Sequence, residues 1–219
     1  WVSDVCSSDL VLIIAGAGSG KTGVLINRIG HLMRKGVDSF NILALTFTNK
    51  AARNMRERIE AMAGAQARNL WMGTFHSIFA RILRMEADRL GYPRNFTIYD
   101  TEDSKSLLKS IIKEMNLEDK VYKPSMILGR ISMMKNNLID SKSYAETAEL
   151  VNQDKQANRS KFGEIFATYT KRCFMGGAMD FDDILINTYR LFRDHPDVTL
   201  KWQHKFKYVM VDEYQDTNH

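Results

Sequence analysis

Short unbroken apolar runs alternate with stretches of helical period along the first hundred residues. Residues 10–15 are continuously aliphatic and run into glycines, the pattern of a strand buried on both faces. A glycine-rich turn follows at 16–20, then a helix over about 21–35. Residues 41–47 (NILALTF) predict a second buried strand. Residues 50–63 predict a helix with Ala51, Met55, Ile59 and Met62 on one face and basic residues opposite. A short strand at 70–74, a helix at 75–90 broken by Gly91, Tyr92 and Pro93, and a strand at 96–99 complete this half. From 102 to 177 strand signals vanish, and helices are expected over 104–115, 124–138, 143–151 and 155–174. A helix at 182–192 precedes a last strand, 207–211 (KYVMV).

This order predicts an α/β protein: an open, mostly parallel sheet with helices on both faces. The helical block, roughly 75 residues long, exceeds any crossover and reads as an inserted all-helical subdomain. The expected organisation is an α/β domain from 10–101 and 180–219, interrupted by the insertion at 102–179. Residues 1–9 (WVSDVCSSD) have no amphipathic period and are expected to be a foreign leader, so nothing functional is assigned to Cys6.

At 219 residues, 44% hydrophobic and 26% charged, the chain can bury a core. No apolar run approaches the roughly 20 residues a membrane helix needs. The net charge of +5 and a pI near 9.1 suit a polyanionic partner without demanding one. Two distant cysteines, Cys6 and Cys173, make no disulfide framework and no metal-ligand spacing, and Cys173 reads as a small apolar helix residue. With no secretory pattern the cytoplasm is the expected compartment.

The strongest chemical signal is AGAGSGKT at 15–22, after an apolar strand and before a helix. Ala15, Gly16, Ala17, Gly18, Ser19 and Gly20 would curl so that successive amides face phosphate oxygens, aided by the helix dipole. Lys21 would reach the β- and γ-phosphates of a nucleotide, and Thr22 would offer its hydroxyl to Mg2+. The partner motif is VMVDE at 209–213. Asp212 would hold Mg2+ partly through water, and Glu213 would accept a proton from an attacking water. The sheet is expected to make the strands of these two motifs neighbours. Asp180, Asp182 and Asp183 (DFDD) are explained by helix capping and dipole complementation without catalysis.

Five segments in order — AGAGSGKT, TFTNKAA at 46–52, GTFHS at 73–77, DFDD at 180–183 and VDEYQDTN at 211–218 — resemble the amino-terminal part of UvrD/PcrA/Rep-type superfamily 1 DNA helicases, over about residues 10–218. The resemblance implies the first RecA-like P-loop NTPase domain with its helical insertion. It also implies ATP and Mg2+ as cofactors and DNA, single-stranded and duplex, as partner. The activity it implies is an ATP-driven 3′ to 5′ motor that unwinds duplexes in repair and replication. A recombination-type helicase–nuclease subunit is the alternative. Thr46, Phe47, Asn49, Thr74 and His76 are carried over as contacts to the tracking strand, with Phe47 near a base. A phenylalanine at a strand's end, with Asn and Lys beside a helix amino terminus, offers a stacking surface and phosphate donors, and Lys50, Arg53, Arg56 and Arg58 would form a basic wall behind it. Relatives carry an adenine-reading glutamine upstream and often an arginine after GKT. Here the leader and Gly23 stand in those places. The 219-residue piece by itself is expected to bind Mg·ATP weakly and to turn it over barely.

Overall fold

The computed structural model describes residues 11–14 and 20–217. The elements run α1 (Lys21–Arg34), β1 (Ile42–Thr46), α2 (Asn49–Ala63), β2 (Trp71–Thr74), α3 (Phe75–Met85), β3 (Thr97–Ile98) and α4 (Thr101–Glu114). They continue as α5 (Pro124–Asn136), α6 (Ser141–Glu146), α7 (Ala148–Gln156), α8 (Phe162–Met175), β4 (Ala178–Met179), α9 (Phe181–Asp194), α10 (Pro196–Lys205) and β5 (Tyr208–Val211). Two compact units divide this chain. One runs up to Ile78 and resumes at Thr199; the other is Phe79–Val198.

The first unit is built on a parallel sheet of order β2-β1-β5. All five residues of β1 are buried, as its unbroken apolar run requires of a central strand. One face is set by Ile42 and Ala44. They join Met72 and Met210 under Ile26, Ile29 and Leu32 of α1 and Met55 and Ile59 of α2. The opposite face carries Trp71, the register partner of Leu43. Its ring meets Trp202 at 5.4 Å and Phe206 at 5.3 Å, both edge-on. Helices therefore cover both faces, and the period of two sorts each strand between them.

One expected strand is not formed over its described residues. Residues 11–14 carry no strand pairing, and all four are exposed, Ile14 by 88%. β1 is bonded to β2 on one side and β5 on the other, and residues 11–14 pair with the outer edge of neither. Among the described residues the neighbour of β5 is β1, and the stretch 11–14 of the strand expected at 10–15 does not pair with it.

In the second unit, α4, α5, α6 and α8 close around Leu108, Ile111, Ile127, Ile131, Phe162 and Tyr169. The helix expected over 155–174 is broken: α7 ends at Gln156 and α8 begins at Phe162. The break serves Asp154, which is 1% exposed. Its carboxylate accepts from Arg130, from Tyr144 at 3.0 Å and from Arg159, a residue that must leave the helix to turn back. The helix expected over 143–151 is likewise two, joined at Thr147 in an extended conformation. Two elements were not anticipated. The short strand β4 pairs in parallel with β3, Thr97 opposite Ala178. Helix α10 starts with Pro196 at its first position, where a missing N–H costs nothing.

The DFDD segment caps α9 as expected. Asp180 accepts from the Asp183 N–H at 2.8 Å, and Asp183 accepts from the Asp180 N–H at 3.2 Å. It also does something unforeseen: Lys135 of α5, 3% exposed, reaches Asp180 at 2.6 Å and Asp183 at 2.7 Å. Tyr169 donates to Asp180 at 2.9 Å. Burial pulls the Lys135 ammonium down, but the two carboxylates outweigh it and hold its pKa above the ordinary value. Burial also pushes the Cys173 thiol up to about 12, so it stays protonated, as a small core hydrophobe does. This network ties β4, α5, α8 and α9 together, so the second unit reaches past the insertion expected at 102–179 to Phe79 and Val198. Among the described residues no helix is long and apolar enough to cross a membrane.

Candidate functional site

Three parallel strands present their carboxyl ends at one edge of the sheet, where open α/β sheets gather their ligands. The register aligns them: Thr46 pairs with Thr74, and Leu45 with Val211. The Asp212 N–H extends the ladder by donating to the Leu45 carbonyl at 2.9 Å. Asp212 is thereby fixed just past the end of β5, 5% exposed.

The first turn of α1 meets it there. Thr22 Oγ1 donates to Asp212 Oδ2 at 3.0 Å and lies 3.3 Å from Oδ1, a contact across 190 residues. Gly20 precedes the helix with φ +87°, a left-handed turn that a side chain would strain. The first turn of α1 holds no acidic residue, and among the described residues no side chain caps it. Its amides and dipole stay available to an anion beside Lys21. Ala15, Gly16, Ala17, Gly18 and Ser19 lie outside the described residues, as do residues 1–10 with Cys6.

Glu213 follows Asp212 in a left-handed conformation, φ 53° and ψ 47°, and is half-buried. That conformation costs a non-glycine residue on the order of 1–3 kcal/mol and is kept where the surroundings dictate it. The turn aims Glu213 away from the β-strand alternation, and the Gln215 amide donates to its carboxylate.

The strand-contact candidates cluster on the neighbouring ends. Thr46 is buried, and Phe47, 38% exposed, follows it. Asn49 opens α2, whose amino terminus Thr48 caps by accepting from the Ala51 N–H at 3.1 Å. Thr74 is buried at the end of β2. Its hydroxyl accepts from the Ser77 N–H at 3.3 Å, while its carbonyl accepts from the Ser77 hydroxyl at 2.9 Å. His76 sits half-buried in the first turn of α3. The glycine of GTFHS has a packing reason: a Cβ on Gly73 would stand 2.5 Å from Ser77 Oγ.

The basic wall is only partly a wall. Arg56 donates to the Met72 carbonyl at 2.8 Å and so anchors α2 to β2. Arg58 reaches the other way, its Nη2 3.6 Å from where a Gly23 Cβ would be. Sequence reasoning missed Phe75, whose ring lies 5.1 Å from that of Phe47 at 50°. Each phenylalanine directly follows one of the paired threonines, a relation that only the strand register reveals.

A buried carboxylate touched by a helix-initial threonine at the carboxyl edge of a parallel sheet is consistent with an α/β RecA-like P-loop fold. The chain belongs to the UvrD/REP helicase N-terminal domain family, whose model matches residues 4–219. It is 44% identical to the ATP-dependent DNA helicase PcrA of Staphylococcus aureus (strain Mu50) and 46% identical to that of Bacillus subtilis (strain 168), each over 209 residues. PcrA of Staphylococcus epidermidis is 45% identical over 212 residues. Each comparison covers 95% of this chain and 28% of the relative, so the chain spans less than a third of the proteins it matches.

Proposed function

We propose that this chain is the ATP-binding and strand-contacting portion of an ATP-dependent DNA helicase, acting in the cytoplasm on single-stranded and duplex DNA in repair and replication. Movement is 3′ to 5′, as the family resemblance implies. The observation that carries the reading is the Thr22–Asp212 contact, which joins the two motifs most distant in sequence at one point. A hydroxyl and a carboxylate are hard oxygen donors, the set Mg2+ prefers, so the residues present fit the ion. Thr22 and Asp212 would hold it, and it would supply charge neutralisation between the β- and γ-phosphates.

The chain's own residues do the rest. The amides of residues 15–20 and the start of α1 bind the phosphates, with Lys21 on the terminal ones. Glu213 orients the attacking water and takes its proton. Phe47 offers a stacking face, with Thr46, Asn49, Thr74 and His76 around it. The curated relatives carry the helicase name, which favours this reading over a helicase–nuclease subunit.

The test is binding of a fluorescent ATP analogue with and without Mg2+, and of labelled (dT)16, to the chain and to Lys21→Ala. Loss of nucleotide binding in Lys21→Ala with (dT)16 binding retained is expected. Nucleotide affinity indifferent to Mg2+ and to Lys21 would overturn the reading.

A further inference from the structure

We propose that Phe75 is a positioning residue for Phe47, holding the more exposed ring in place as the stacking face for an unpaired base; this rests on the strand-binding reading above. The register makes the pair. Because Thr46 lies opposite Thr74 in the parallel ladder, the residues that follow them leave the sheet side by side. Phe47 enters the short link to α2, and Phe75 begins α3. Their centroids stand 5.1 Å apart with planes tilted by 50°, within the range favoured by aromatic quadrupoles.

Each ring is anchored differently. The Phe47 link is held at its far end by the Thr48 cap on α2. Phe75 is the first residue of a helix whose opening turn is locked by both Thr74–Ser77 hydrogen bonds. Gly73 lets that turn close, since any Cβ there would collide with Ser77 Oγ. Phe75 is therefore the fixed ring and half-buried, while Phe47 is the more exposed one, at 38%. A base stacks best on a ring that does not turn away from it. Phe75 removes that freedom, so the ordering entropy is settled before the strand arrives.

The experiment is a double-mutant cycle on the full 219-residue chain. Affinity is read by anisotropy of labelled (dT)16, and stacking by quenching of 2-aminopurine placed within the same strand. Phe47→Ala is expected to weaken binding by roughly 5- to 150-fold, the range for losing one stacked base. Phe75→Ala is expected to weaken it by roughly 2- to 12-fold, the range of an aromatic pair, and to reduce the quenching. In the Phe47→Ala background, Phe75→Ala should then add nothing, because it acts only through the missing ring. Phe75→Leu keeps the apolar volume and guards against misfolding, and Phe75→Tyr should restore the quenching. Additive losses, or Phe75→Ala and Phe75→Leu both leaving affinity and quenching unchanged, would overturn the proposal while leaving the strand reading intact. Indifference to Phe47→Ala would remove the strand reading itself.

Discussion

Thr22 and Asp212 show how much a single pair of oxygens can report. A carboxylate that is 5% exposed needs partners, and a threonine hydroxyl supplies one at 3.0 Å. Removing the hydroxyl in Thr22→Ala leaves that carboxylate under-satisfied, at about 1–3 kcal/mol of stability. The same substitution should abolish the Mg2+ dependence of nucleotide affinity, whereas Thr22→Ser retains both, by chemical denaturation and nucleotide titration. Glu213→Gln in a helicase that includes this chain should keep nucleotide binding and lose turnover, because the amide cannot take a proton. A steady-state ATPase assay checks it, and turnover near the unaltered rate would place the base elsewhere. These residues were legible because their chemistry is local: a lysine and threonine after glycines, an acid pair after an apolar strand. Phe75 was not, because its importance arises from the register between two strands, which no single segment specifies.

At the scale of elements, the Lys135 network offers the sharpest measurement. Lys135→Met strands two carboxylates in a dry site, and breaking a buried pair this way costs about 3–5 kcal/mol at neutral pH. The sign with pH follows from the shifts. Burial raises Asp180, but the Lys135 charge and hydrogen bond dominate and hold it below the ordinary 3.8. Its contribution is present above 3.8 and lost as pH falls through the lower folded value. In Lys135→Met that carboxyl has no cation, so its folded value rises. The variant gains relative stability as pH falls toward 3.8, and the gap to the unaltered protein should shrink. Denaturation at pH 7 and near pH 4 measures this, and an unchanged gap would show that the ion pair contributes nothing electrostatic. Helices α1, α2 and α9 were legible from period and caps. The strand expected at 10–15 is not formed over 11–14, because an aliphatic run favours extended backbone without specifying a partner edge. The break before α8 was missed because Asp154 draws one arginine from α5 and the other from the α7–α8 link itself.

At the scale of the molecule, each of the two units has its own apolar core, and the residues proposed to bind nucleotide fall in the one containing β1, β2 and β5. Mg·ATP at a hundredfold over its dissociation constant should therefore stabilise that unit by about 2.7 kcal/mol. Hydrogen exchange should show the added protection within 20–78 and 199–217 and not within 79–198, and in Lys21→Ala it should vanish. The sequence by itself determined the α/β order, the central buried strand and the family resemblance, and it pointed to Lys21, Thr22, Asp212 and Glu213 as the residues to test. All of these are written in short segments whose residue types act on their neighbours. Only the tertiary structure decided that β1 stands beside β5 and that Phe47 leans on Phe75. It also decided that Arg56 is spent on a backbone carbonyl and that Lys135 is buried between two aspartates. Each of those depends on which distant edges and side chains meet, and that is set by packing the whole chain at once.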